Sequence, residues 1–249
     1  MTERNLTFPS ARGHQMNAFL ALPDSPQGDT LPETGAPAII VLHEAFGLND
    51  DIRRIARRFA DNGYAAFAPD LLDIGGPRLL CIARTMRALS AGGGAALDDI
   101  ESARAWLAAR DGIDGERIGV AGFCLGGGFA LLYAARGSMR AAACFYGTVP
   151  AETDALEGIC PVLAGYGAKD TRFLGMPGRL TRHLDKLDVP HDIEVYPNAG
   201  HSYMNQHSGV LAKIGGLGPL RKMAIGHHPE SAEDSWRRML AFFDTQVRN

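Results

Sequence analysis

Pro37-Ala38-Ile39-Ile40-Val41-Leu42 is an unbroken apolar run rich in β-branched residues. A strand with one wet face alternates apolar and polar side chains, so a run with no polar break is a strand covered on both sides. The next segment supplies a cover. Ile52, Ile55, Ala56, Phe59 and Ala60 recur on one helical face between Asp51 and Asn62, with Asn49 or Asp50 as N-cap and Gly63 as stop. Tyr64 to Pro69 then reads as a second strand and completes a β-α-β unit. Ala96 to Arg110, Leu125 to Arg136 and a stretch around Arg179 to Leu187 are helical. Arg117 to Phe123, Ala141 to Tyr146, Val162 to Tyr166 and Asp192 to Tyr196 are extended. This alternation specifies an α/β fold with a mostly parallel central sheet flanked by helices.

At the two ends the pattern changes. Met16 to Leu22 reads as an additional edge strand, followed by a Pro/Gly-rich loop from Pro23 to Ala36. Ser231 to Asp234 fits a capping box after Pro229, and Trp236, Met239, Leu240 and Phe243 form the buried stripe of a last helix. Leu71 to Gly94 and Ser202 to His228 are long for connections in a compact domain, and such lengths mark lids or binding loops.

A chain of 249 residues with 46% apolar content can bury one large core, which excludes disorder as its main state. With no repeat or linker in view, residues 1–249 are expected to form a single domain. The formal charge of −3 gives no electrostatic reason to bind nucleic acid or an anionic membrane. A small molecule is the expected partner, and a monomer or small homo-oligomer the expected state. Neither a long apolar run nor a secretory-type start follows Met1, so the expected location is cytoplasmic.

The four cysteines, Cys81, Cys124, Cys144 and Cys160, include no C-x-x-C pair and are too scattered for a disulfide scaffold. Three read as small buried hydrophobes. Cys124 differs, because Gly122-Phe123-Cys124-Leu125-Gly126 lies between an apolar strand and a helix and matches the nucleophile elbow G-x-S-x-G with cysteine for serine. The turn is so tight that the flanking residues must be nearly free of side chain, and the nucleophile is pushed out above the sheet. A helix N-terminus also favours a thiolate. An inert buried cysteine in a glycine-rich turn is the competing reading of the pentapeptide alone.

In this chain order an acid and then a histidine should follow, each after a later strand. Asp170 follows Val162 to Tyr166, and His201 follows the strand ending at Tyr196. Each has a bland alternative, a helix cap for Asp170 and a surface histidine for His201. His43-Glu44-Ala45-Phe46-Gly47 ends the first central strand, where such sheets bind ligands. Gly47 stands where a zinc H-E-x-x-H motif needs histidine, and no metal is expected. The backbone amides of Ala45 and Leu125 are the expected oxyanion donors.

GFCLGGG at Gly122 to Gly128, HEAFGL at His43 to Leu48, GYAAFAPDL at Gly63 to Leu71, Asp170 and Gly200-His201-Ser202 together resemble the dienelactone hydrolase family. The resemblance spans Ala38 to the C-terminal helix. It implies a three-layer α/β-hydrolase fold and a Cys124-His201-Asp170 triad. It also implies hydrolysis of an ester or lactone through an acyl-cysteine, with no metal or organic cofactor. Glu44 matches a glutamate that in the family assists the resting thiol.

Characterised members hold a substrate carboxylate with two arginines, one after the PDL strand and one four residues beyond the histidine. The second position here is Asn205. Arg84 (beside Arg78 and Arg87), Tyr203 and Asn205 are the candidate substrate contacts, and the loop with Tyr203, Met204 and His207 is expected to reshape the pocket. A broader carboxylesterase or thioesterase for neutral substrates is the alternative enzyme. A redox-sensing or ligand-binding protein using Cys124 is the alternative outside catalysis. Arg53, Arg54, Arg57 and Arg58 are expected to form a solvated helix face, since aspartates flank them. His227-His228 lacks further ligands at zinc spacing.

Overall fold

The computed structural model describes residues 1–24, 35–207 and 218–249. Eight strands make one sheet in the order β1-β2-β4-β3-β5-β6-β7-β8. They are β1 (Thr2–Pro9), β2 (Gln15–Leu22), β3 (Ala36–Leu42), β4 (Ala65–Pro69), β5 (Ile113–Phe123), β6 (Ala142–Phe145), β7 (Val162–Gly167) and β8 (His191–Tyr196). From β4 to β8 every pairing is parallel, whereas β1 and β2 join antiparallel. The described α-helices are α1 (Asp50–Asp61), α2 (Arg78–Ser90), α3 (Ala95–Ala108), α4 (Leu125–Ala134), α5 (Met176–Lys186) and α6 (Pro229–Phe243).

The unbroken apolar run behaves as its composition requires. Ile40 and Leu42 of β3 join Ile100 and Leu107 of α3, Phe129 and Leu131 of α4 and Leu180 of α5 in one core. Ile39 and Val41 point the other way, against Ile52, Ile55 and Phe59 of α1 and Trp236, Met239 and Phe243 of α6. Alternate residues of one strand therefore serve two cores, and the fold is three-layered. Asn49 caps α1 by accepting from the Ile52 amide at 3.1 Å, as its sequence indicates. The α1 arginines are paired: Arg54 with Asp51, Arg57 with Glu3 and Arg58 with Glu233.

Three expectations need correction. β2 is not an edge strand, because β1 covers it over its whole length. β1 is mostly exposed, carries Glu3 and Arg4 and buries only Phe8, so it has little hydrophobic periodicity to read. The long connection from Leu71 to Gly94 contains α2, whose fully buried residues are only Cys81 and Thr85. Its apolar Leu79 and Leu80 are exposed, as is half of Met86, which hides the helical period. The last helix begins at Pro229 with His228 as N-cap, so Ser231 lies inside it and donates its amide to the His228 ring at 3.4 Å. Parts of the expected loops Pro23 to Ala36 and Ser202 to His228, residues 25–34 and 208–217, lie outside the described residues. No described helix is long and apolar enough to cross a membrane.

Candidate active site

The chain leaves β3 for β4 on one side and later returns to place β5 on the other. The carboxyl ends of β3 and β5 therefore diverge into a crevice, the usual ligand position in an open α/β sheet. Residues 43–47 leave β3 there and Cys124 leaves β5.

Cys124 has φ of +54°, a left-handed conformation that is unusual for a non-glycine residue, and its carbonyl starts the first turn of α4. The flanking glycines permit this turn. A Cβ on Gly122 would lie 2.7 Å from the Gly127 amide nitrogen, and one on Gly126 would lie 2.8 Å from the His43 carbonyl oxygen. The Gly126 amide donates to that oxygen at 3.1 Å and ties the elbow to the end of β3. Leu125 opens α4, where helix geometry leaves the amide without an intrahelical acceptor. Leu125, Ala45 and Cys124 line one cavity of about 450 Å³.

Asp170 and His201 meet beside it. The Asp170 amide donates to the Gly167 carbonyl at 3.1 Å in the turn after β7, and the His201 amide donates to the Met223 carbonyl at 2.8 Å after β8. The His201 Nδ1 donates to Asp170 Oδ2 at 2.6 Å, with both side chains 2% exposed or less. That bond fixes the tautomer, and the buried Nε2 makes no well-aligned hydrogen bond among the described residues, although the Cys124 sulfur is close enough to act on the ring. Phe173 and Tyr146 hold the imidazole from two sides, with ring centres 4.9 and 5.1 Å away. Burial works against a charged ring, but the nearby Cys124 sulfur and the Asp170 carboxylate outweigh it and push His201 up to about 10. A thiol, with an imidazole oriented by a carboxylate beside it, is the kind of group that acyl transfer uses, and Ala45 and Leu125 line the same cavity.

Glu44 is brought near this group without lining the cavity. It is 1% exposed. Ser202 Oγ donates to its Oε1, and His207 Nε2 stands 3.1 Å from its Oε2 at angles that make a coulombic contact rather than a hydrogen bond. Burial raises its pKa, against the opposing pull of His207, Ser202 and His201.

The other candidates separate. Arg84 is exposed on α2 and does not line the cavity. Tyr203 is fully buried with its hydroxyl 2.7 Å from Ser235 Oγ. Asn205 is also buried: it accepts from the Tyr146 hydroxyl, and its Nδ2 donates to Asp51 Oδ2 at 2.6 Å. Tyr203 and Asn205 therefore anchor the loop after His201. Arg172 was missed. It lines the cavity with Phe173 and Met176, and its guanidinium pairs with no carboxylate among the described residues. Its position two residues after Asp170 was the available signal. Met86, Leu89 and Ser90 of α2 form the opposite wall, and a second cavity of about 410 Å³ adjoins through Leu89, Ser90 and Thr148. No cluster of three or more potential metal ligands occurs among the described residues.

Comparison with known proteins joins these features to a family. The profile of the dienelactone hydrolase family matches residues 16–247. The chain belongs to the dienelactone hydrolase family. It is accordingly a hydrolase of the carboxylic ester class. A provisionally named carboxymethylenebutenolidase of Yersinia pestis is 32% identical over 256 residues, covering 95% of this chain and 86% of the relative. A provisionally named dienelactone hydrolase structure from Klebsiella pneumoniae is 30% identical with a TM-score of 0.76, covering 97% of this chain and 98% of its own. A dienelactone hydrolase-like promiscuous phosphotriesterase from metagenomic libraries has a TM-score of 0.81, at 23% identity and 98% coverage of each chain, and shares the fold.

Proposed function

We propose that residues 1–249 act as one catalytic domain that hydrolyses a small ester or lactone bearing a carboxylate, through an acyl-cysteine intermediate. The observation that carries the mechanism is the 2.6 Å bond from His201 Nδ1 to Asp170 beside a cavity lined by Cys124. The Cys124 thiolate adds to the carbonyl carbon, forming a C–S bond and sending the carbonyl electron pair to oxygen. The Ala45 and Leu125 amides stabilise that oxyanion. Collapse expels the alkoxide, which takes the proton from His201 Nε2; in a lactone it stays tethered to the acyl group. Water then gives a proton to His201 as it adds to the thioester, and departure of the sulfur completes the hydrolysis. Asp170 keeps the imidazole in the required tautomer throughout.

The carboxylate preference rests on Arg172, a cation on the cavity wall whose guanidinium pairs with no carboxylate among the described residues. A charge-assisted contact of about 1.5–3 kcal/mol corresponds to roughly 10- to 150-fold in affinity. The test uses wild type, Cys124→Ala, His201→Ala and Arg172→Ala on paired aryl esters and lactones with and without a carboxylate. The expected result is near-complete loss in the first two variants and an acyl adduct on wild type by intact mass. Arg172→Ala should raise KM for the charged member of each pair only. Undiminished hydrolysis by Cys124→Ala overturns the mechanism, and an equal effect of Arg172→Ala on both members overturns the preference.

A further inference from the structure

Two segments needed for the proposed reaction meet at one carboxylate. Residues 43–47 carry the Ala45 amide, and residues 201–207 carry the imidazole. Glu44 belongs to the first, whereas its partners Ser202 and His207 belong to the second. Ser202 directly follows His201 and sits at φ of +58°, a conformation that surrounding contacts have to maintain. The Phe46 ring packs edge-on against the His207 ring at 5.3 Å between centres, so the same histidine touches the loop on both sides of Ala45. The other end of the loop is fixed independently: His43 Nε2 accepts from the Leu71 amide at 2.9 Å.

A buried carboxylate needs donors or an opposite charge. Ser202 supplies one donor to Glu44, and Oε2 has His207 as its close partner among the described residues. The remaining ionisable groups acting on Glu44 are His201, which favours its charge, and Asp51, which opposes it, while the Tyr146 phenol lies within its field. Of these, His207 is the ionisable group that contacts Glu44 without belonging to the triad.

We infer that His207 is a positioning residue: through Glu44 it fixes the segment bearing the Ala45 amide relative to His201, and loss of its imidazole loosens that link. The inference rests on the oxyanion role proposed for Ala45. Displacing a transition-state donor by about 1 Å lowers kcat by roughly 10²-fold, while ground-state binding in the cavity changes little.

The test compares wild type, His207→Gln, Glu44→Gln and the double variant with a neutral aryl ester over pH 5 to 9. It also measures alkylation of Cys124 by iodoacetamide at fixed pH. His207→Gln is expected to lower kcat by about 10- to 100-fold with KM changed less than about threefold. Its alkylation rate should stay within about twofold of wild type. The double variant should lose no more than the worse single variant, since both act through one link. Ser202→Ala removes the other grip on Glu44 and gives the same kcat-selective loss where His207→Gln does not fold. A wild-type kcat in His207→Gln overturns the inference. So does an alkylation rate that falls in step with kcat, because Glu44 would then be acting on the thiol. Inactivity of Cys124→Ala beside a wild-type His207→Gln rejects this inference alone, whereas activity in Cys124→Ala rejects the underlying mechanism.

Discussion

Gly126→Ala tests how the elbow is built. The added Cβ would lie 2.5 Å from the Leu42 carbonyl carbon and 2.8 Å from the His43 oxygen, and nearer still to the Leu42 oxygen. All three are backbone atoms of a fully buried strand end, so no side chain can swing away. Restoring ordinary contact, 3.4 Å or more, requires α4 and the end of β3 to separate by about 1 Å. Overpacking costs about 1–3 kcal/mol, and a collision with backbone alone belongs at the top of that range. At about 2–4 °C per kcal/mol for a chain of this size, the melting temperature should fall by about 6–12 °C. The same separation moves the Leu125 amide from the Ala45 amide, so kcat should drop by roughly 10²-fold. Gly178→Ala in α5 is the control: its Cβ would meet only the Arg182 side chain, at 3.5 Å, and a helical glycine replaced by alanine should gain about 0.5–1 kcal/mol. Thermal melts by circular dichroism with ester hydrolysis measure both. A Gly126→Ala protein melting within about 2 °C of wild type at full kcat would refute the steric account of the elbow.

Asp170→Asn should leave the fold intact and lower kcat by about 10⁴-fold, the scale of losing the tautomer-holding acid of a triad, as read by single-turnover kinetics. His201 is raised from the ordinary 6.5 to about 10. The stability it contributes is complete below pH 6.5 and lost as pH rises through about 10, so the urea midpoint advantage over His201→Gln should narrow across that window. An unchanged gap would falsify the raised value. Cys144 and Cys81 are buried, and burial pushes the thiols of Cys144 and Cys160 up to about 11 and about 12. Native protein at pH 7.5 should therefore incorporate one iodoacetamide, mapped by peptide mass to Cys124.

What was legible in the sequence depended on whether the deciding contact leaves a local pattern. The elbow did, because only glycine tolerates the approach of Gly122 and Gly126 to neighbouring backbone. Asp170 and His201 did, because strand ends locate them. β1 and α2 left little trace, since each buries only one or two side chains completely. The burial of Tyr203 and Asn205 left no local pattern, because their hydroxyl and amide groups are satisfied by Ser235, Tyr146 and Asp51, residues distant in the sequence. Arg172 carries no such pattern, since its place on the Cys124 cavity depends on how the turn after β7 opens.

α2 has a consequence for how such an enzyme can change. Its Met86, Leu89 and Ser90 form one wall of the cavity, yet the helix sinks only Cys81 and Thr85 fully into the protein. Substitutions away from buried features usually alter stability by about 0.5 kcal/mol or less. Met86 and Ser90, the exposed part of that wall, can therefore be exchanged at small cost to the fold, whereas Leu89 packs on the core beside Gly128. Changes at Met86 and Ser90 can thus reshape the cavity while the sheet beneath it stays folded.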